Sequence, residues 1–143
     1  MRIEGSRAFA APRGQVWDAL VDPQLLGEFL PGLESLKGQD ETHWSAVMRL
    51  PMSPISLNLD FELRERSRPA HALLSAKGKR LGASADVQTN FDLSEAAAGT
   101  KMDWFADVEL GGMLGRLAPA MKPVAQHQAE KFLDKLERKL GDD

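Results

Sequence analysis

With 143 residues, a formal net charge of −3 and no cysteine, the chain has the length of one domain and can form no disulfide, thiolate nucleophile or Cys-ligated metal centre. Its 18 basic against 21 acidic residues form no basic stripe, which argues against a nucleic-acid module, and 43% hydrophobic content is that of a globular chain rather than a disordered one. No run approaches the roughly 18 apolar residues of a membrane span. The opening MRIEGSRAFAAP lacks the apolar core of a signal peptide, so a cytoplasmic domain spanning residues 1–143 is expected.

Residues 1–9 read as a first strand. Pro12 suits the opening of a helix, because its fixed φ fits the first turn and its missing N–H would be unpaired there anyway. Val16, Trp17 and Leu20 give the helix over 12–21 one apolar face. Asp22-Pro23 breaks it, and Leu25, Leu26, Phe29 and Leu30 mark a second short helix ending before Pro31-Gly32.

From residue 33 the apolar period becomes two. Trp44, Ala46, Met48 and Leu50 share one face. Ile55, Leu57, Leu59, Phe61 and Leu63 then alternate with Ser56, Asn58, Asp60, Glu62 and Arg64, the pattern of a half-buried antiparallel strand. Ser67–Pro69 turns the chain into Ala72, Leu74, Ala76 and Gly78, and Gly78–Gly82 reads as the next turn. Ala83, Ala85, Val87, Thr89, Phe91 and Leu93 follow; after a loop over Glu95–Gly99 come Met102, Trp104, Ala106, Val108 and Leu110. Leu73 and Phe105 are the main apolar residues on the opposite phase.

Beyond Gly111-Gly112 the period returns to 3.6, with a stripe of Leu114, Leu117, Met121, Val124, Gln128, Phe132, Leu136 and Leu140. Pro119 and Pro123 predict a kinked start or a restart near Pro123. The expected fold is α+β: a curved antiparallel sheet of about seven strands wrapped around a helix over 113–139, with two short helices between strands one and two.

Small residues stand out on the inward phase: Ala46, Ala72, Ala76, Gly78, Ala83, Ala85 and Ala106. A curved sheet gripping a helix needs bulk to reach native packing density, so these positions predict a void lined by apolar side chains. The expected lining is Ala46, Met48, Leu57, Leu59, Phe61, Leu74, Ala76, Ala85, Val87, Phe91, Met102, Trp104, Ala106, Val108, Leu117, Met121 and Val124. A flatter sheet, on which alanines let the helix approach closely, is the alternative. The inward phase of the later strands carries no charged residue or histidine. That weighs against acid–base catalysis, which needs a titratable group inside a cleft. An enzyme would draw its polar groups from Asp22, Glu28 or His127.

The three histidines, His43, His71 and His127, lie far apart and show no metal-ligand spacing, so neither a metal nor a cofactor is expected. Outward-facing Asp60, Glu62, Asp86, Asp92, Asp103, Asp107 and Glu109 make an acidic outer face, whose ordinary reading is solvation. Lys77, Lys79, Arg80 and Leu81 form a basic hairpin tip with one apolar residue. It reads either as a solvated turn or as a peripheral contact with anionic lipid headgroups.

The element order, with Val16-Trp17-Asp18-Ala19-Leu20 followed by Asp22-Pro23, resembles the helix-grip fold of the START and polyketide-cyclase-like (SRPBCC) superfamily. Leu30-Pro31-Gly32-Leu33-Glu34-Ser35-Leu36 and Ala106-Asp107-Val108-Glu109-Leu110-Gly111-Gly112 are similar to the CoxG family of carbon monoxide dehydrogenase within it. Leu33 stands where many relatives have cysteine, and Met52-Ser53-Pro54-Ile55 replaces a glycine-rich strand pattern. The resemblance implies a deep pocket for apolar molecules, and an accessory role beside a molybdenum-containing dehydrogenase with a lipid- or quinone-type ligand near membranes. Three functions follow for test: a carrier of an apolar or amphipathic small molecule, a small cyclase-, dehydratase- or hydrolase-like enzyme, and an assembly subunit with a filled core.

Overall fold

The alternation and helical periods map onto seven strands, two short helices and one long helix. The computed structural model describes residues 1–30, 32–38, 40–49 and 56–141. The expected inward residues Leu50 and Ile55, together with Pro31, lie outside these. In chain order the elements are β1 (Arg2–Phe9), α1 (Arg13–Leu20), α2 (Pro23–Phe29), β2 (Leu33–Gly38), β3 (His43–Arg49), β4 (Ser56–Ser67), β5 (His71–Arg80), β6 (Ala83–Ala96) and β7 (Gly99–Gly112). A 3₁₀ turn over Met113–Leu117 leads into α3 (Ala118–Gly141). The sheet is antiparallel throughout, in the order β1-β7-β6-β5-β4-β3-β2. It is a β-meander whose first strand returns to pair with the last.

Pro12 stands at the N-cap of α1, one residue before the expected start, and the Asp22 carboxylate caps α2 by accepting from the Gln24 N–H at 2.9 Å. Two buried side-chain bonds tie the helical layer to the sheet. The Trp17 indole donates to the His71 carbonyl at 2.9 Å, and the Thr100 hydroxyl donates to the Ala11 carbonyl at 2.7 Å.

Several sequence expectations shift in detail. Gly78 lies inside β5, so the expected Gly78–Gly82 turn contracts to Leu81-Gly82. A bulge between Leu63 and Glu65 changes the phase of the β4 end and pairs exposed Arg66 with Ala72. At the strand ends the inward phase also carries exposed Arg80 and Glu95. The long helix begins at Ala118 rather than 113 and accommodates Pro123 without a break. Its buried residues are Met121, Phe132, Leu133 and Leu136, with Ala125, Ala129 and Leu140 packed against the core. Leu117 departs from the expected stripe: it is 43% exposed, because the 3₁₀ turn winds three residues per turn and rotates it away.

Gly112 closes the junction between sheet and helix. Its φ is +64°, and a Cβ there would lie 2.2 Å from the Gly82 carbonyl oxygen, while the Met113 N–H donates to that oxygen at 2.8 Å. Gly112→Ala therefore meets both backbone strain and a collision with backbone. It is expected to lose about 1–3 kcal/mol in urea unfolding. Gly38→Ala, where a Cβ meets nothing within 4 Å, serves as the comparison.

Candidate functional site

The strand register gathers the predicted lining on one face. One row runs Val108, Val87, Ala76, Phe61 and Trp44 across β7, β6, β5, β4 and β3. A second runs Leu110, Ala85, Gly78, Leu59 and Ala46. A third runs Ala106, Thr89 and Leu74, with Ile3 of β1 at its end. Leu57 with Met48, and Trp104 with Phe91, complete the set on either side. The Trp44 and Phe61 rings stack, with centroids 5.9 Å apart and planes 9° from parallel.

This face has two unlike ends. Near Phe9 and the last residues of β6 it is plugged by α1. Val16, Leu20, Ala72 and Met102 are each no more than 1% exposed there. Met102 thus sits in close packing rather than beside open space. Toward Gly112 the packing is looser: Met48, Val87, Leu110 and Val124 keep partial exposure, and Met121 and Val108 lie outside the contiguous core cluster. Val87 and Thr89 matter most. They stand on the helix-facing phase in the middle of β6, with two strands on one side and four on the other, yet both stay half-buried. A residue so placed can reach solvent only if the face above it is incompletely covered.

The placement of α3 gives the reason. The Gln126 side-chain amide donates to the Glu4 carbonyl at 3.0 Å and its oxygen accepts from the Glu4 N–H at 3.3 Å, which pairs the free edge of β1. Arg7, on the inward phase of β1, donates to Asp134 at 2.6 Å and Glu130 at 2.8 Å, with Glu137 at 3.6 Å. Partial burial opposes its charge, but the carboxylates outweigh this and raise the guanidinium pKa further. The helix is thereby held along β1, at one side of the sheet. Arg7→Ala is expected to lower stability by about 1–3 kcal/mol in chemical denaturation, more than the exposed Arg2–Asp107 pair provides.

Charge is absent from the inner face at this looser end, and Thr89 is its one hydroxyl within the three rows. Thr89 and Leu110 belong with the lining although the sequence reading left them out. Their alternation phase carried the signal, but a polar side chain and a strand end hid it. The indole N–H groups of Trp44 and Trp104 have no protein partner among the described residues. The Trp104 donor lies over Gly5, 2.9 Å from where a Cβ would be, at the β1 side of the face.

The proposed acid–base residues do not build a catalytic site. Asp22 caps α2, while Glu28 and His127 are exposed. No group of three or more His, Cys, Asp or Glu with metal-site geometry occurs among the described residues, and none of the described helices is long and apolar enough to cross a membrane. The outer face is polar, as expected, and two open depressions on it are lined mostly by outward side chains such as Asp92, Asp103, Asp60, Lys77 and Glu109.

On that outer face His71 Nδ1 lies 2.8 Å from Asp92, with Glu65 3.7 Å from its other nitrogen. Desolvation lowers the imidazole pKa, but the bond to Asp92 and the two carboxylate charges more than reverse this, so the net shift is upward. A raised pKa means the protonated form is favoured by folding. The pair therefore stabilises fully at pH below the unfolded value of about 6.5, and the contribution fades as pH rises through the folded value. Asp92→Asn should cost stability in urea melts at acidic pH and much less at alkaline pH. Equal loss at both would show that the pair does not titrate in this way.

A sheet gripping one long C-terminal helix, with two short helices after the first strand, defines a helix-grip domain of the START/SRPBCC kind. The chain belongs to the CoxG family of carbon monoxide dehydrogenase, whose model matches residues 5–141. Solved structures agree on the fold. A conserved protein from Geobacillus kaustophilus superposes with a TM-score of 0.85 at 20% identity, over 99% of this chain and 96% of that one. A protein from Chromobacterium violaceum gives 0.77 at 16% identity, over 99% and 98%. Ara h 8.0201 gives 0.67 at 11% identity, over 100% and 99%. No curated protein matches the chain.

Proposed function

We propose that the chain carries an apolar or amphipathic small molecule, lipid- or quinone-like, between the inner face of the sheet and α3. The observation that carries this reading is the half-exposure of Val87 and Thr89 at the centre of a charge-free face built from Ala46, Ala76, Ala85 and Val108. A central strand of a filled domain would be sealed on that side. Family membership supports an accessory role beside a molybdenum-containing dehydrogenase in the cytoplasm, with the carried molecule as the link between the two.

The remaining expected lining residues (Leu57, Leu59, Phe61, Leu74, Phe91, Trp104, Ala106, Met121 and Val124) form the walls in this reading, and Leu117 and Met102 take no direct part. Binding is driven by apolar contact: a ligand losing roughly 300 Å² of apolar surface gains about 7 kcal/mol before ordering costs. Titration with an uncharged fluorescent probe such as phenylnaphthylamine tests it. Affinity should be nearly flat between about pH 5 and 8 and unchanged by chelators or by His43→Ala, His71→Ala or His127→Ala. Loss of binding on adding a chelator, or on a histidine change that leaves the fold intact, would return the enzyme reading to the front.

A further inference from the structure

We infer that the end of the domain formed by the β5–β6 tip and the 3₁₀ turn docks on an anionic lipid surface. The inference rests on the carrier reading, since it places the looser end of the inner face against a bilayer. Among the described residues the exposed large hydrophobic side chains are Leu81 at 100%, Met113 at 53% and Leu117 at 43%. They are far apart in sequence and meet in space. The Met113 N–H donates to the Gly82 carbonyl at 2.8 Å, which joins the turn carrying Met113 and Leu117 to the tip carrying Leu81.

The charge around them is of one sign. Lys79, Arg80 and Arg116 flank these side chains and have no carboxylate within ion-pair distance among the described residues; Arg80 donates only to the Ser56 carbonyl, at 3.1 Å. The sequence has no Asp or Glu between Glu65 and Asp86, nor between Glu109 and Glu130, although the chain as a whole is acidic. These two acid-free stretches are the ones that meet at this end. The nearest carboxylates along the strands, Asp86 and Glu109, face outward behind the tip. Apolar side chains ringed by unpaired cations match a bilayer's acyl boundary and its anionic headgroups, with the cations supplying attraction and the apolar groups insertion. An acidic protein partner would meet the cations but leave a fully exposed Leu81 without a matching apolar layer. Ala83, Ala85 and Leu110 lie on the inner face just behind this end. Docking there would let an apolar ligand pass between bilayer and pocket without crossing water.

Vesicle co-sedimentation of the full chain tests the inference, comparing phosphatidylcholine alone with phosphatidylcholine plus phosphatidylglycerol. Binding is expected only with the anionic lipid, and to weaken as salt rises. Leu81→Ser and the pair Lys79→Glu/Arg116→Glu should each reduce it, the charge pair by about tenfold or more. The pair Lys135→Glu/Lys139→Glu makes the same charge change on the last turns of α3 and should leave more of it intact. No vesicle binding, equal binding to neutral vesicles, or equal loss in both charge pairs would overturn the inference. Phenylnaphthylamine binding without vesicles reports the pocket separately. If it persists in patch variants that fail to dock, docking alone is at issue; if it is absent while vesicles still bind, the carrier reading falls and the docking surface stands.

Discussion

Leu136→Ala is expected to destabilise the domain by about 2–5 kcal/mol, a fall in Tm of roughly 6–20 °C for a chain of this size. Leu136 is fully buried in α3, within the core shared with α1 and the plugged end of the sheet. Removing its three outer carbons leaves a cavity that rigid neighbours cannot close. Leu117→Ala removes the same atoms from the same stretch of sequence. Because Leu117 projects into solvent, the change should stay within about 0.5 kcal/mol in the same urea titration. Equal effects would mean that the helical phase described for 113–136 is wrong.

Val87→Phe is expected to abolish most uptake of an apolar ligand while leaving the fold intact. In a filled interior an added ring at the centre of a seven-stranded sheet costs about 1–3 kcal/mol. Val87 is instead half-exposed between Ala76 and Val108, so the ring should enter existing space and compete for it with the ligand. Phenylnaphthylamine affinity should fall about a hundredfold, the worth of roughly 3 kcal/mol of lost apolar contact. Ala85→Leu, one row closer to Gly112, should act in the same direction and more weakly. Destabilisation by both changes without any effect on the probe would identify the filled-core assembly subunit.

The sheet was legible because each long strand obeys period two over enough residues to exclude a helix. Leu57 through Leu63 fix the phase of β4, and the pairing of β4 with β5 and β6 follows from short turns. The register then places the predicted lining on one face without further information. What escaped was set by local geometry that carries no apolar period. On β1 the inward positions are Ile3, Gly5, Arg7 and Phe9, so Arg7 reads as surface although it anchors α3. The bulge at Leu63/Glu65 and the 3₁₀ turn at 113–117 each change phase with no sequence mark. The separation of the inner face into a plugged and a loose end depends on where α1 and α3 come to rest. Alanines at Ala46, Ala76 and Ala85 signalled missing bulk, but only the half-burial of Val87 and Thr89 shows where that bulk is missing.

Native mass spectrometry of the purified chain, incubated with an uncharged long-chain quinone or monoacylglycerol, tests the central claim most directly. A single added molecule per chain is expected, retained in the gas phase by the wild type and by His127→Ala, and absent from Val87→Phe. Adducts of equal abundance on wild type and Val87→Phe, or none on either while both remain folded, would contradict the carrier reading.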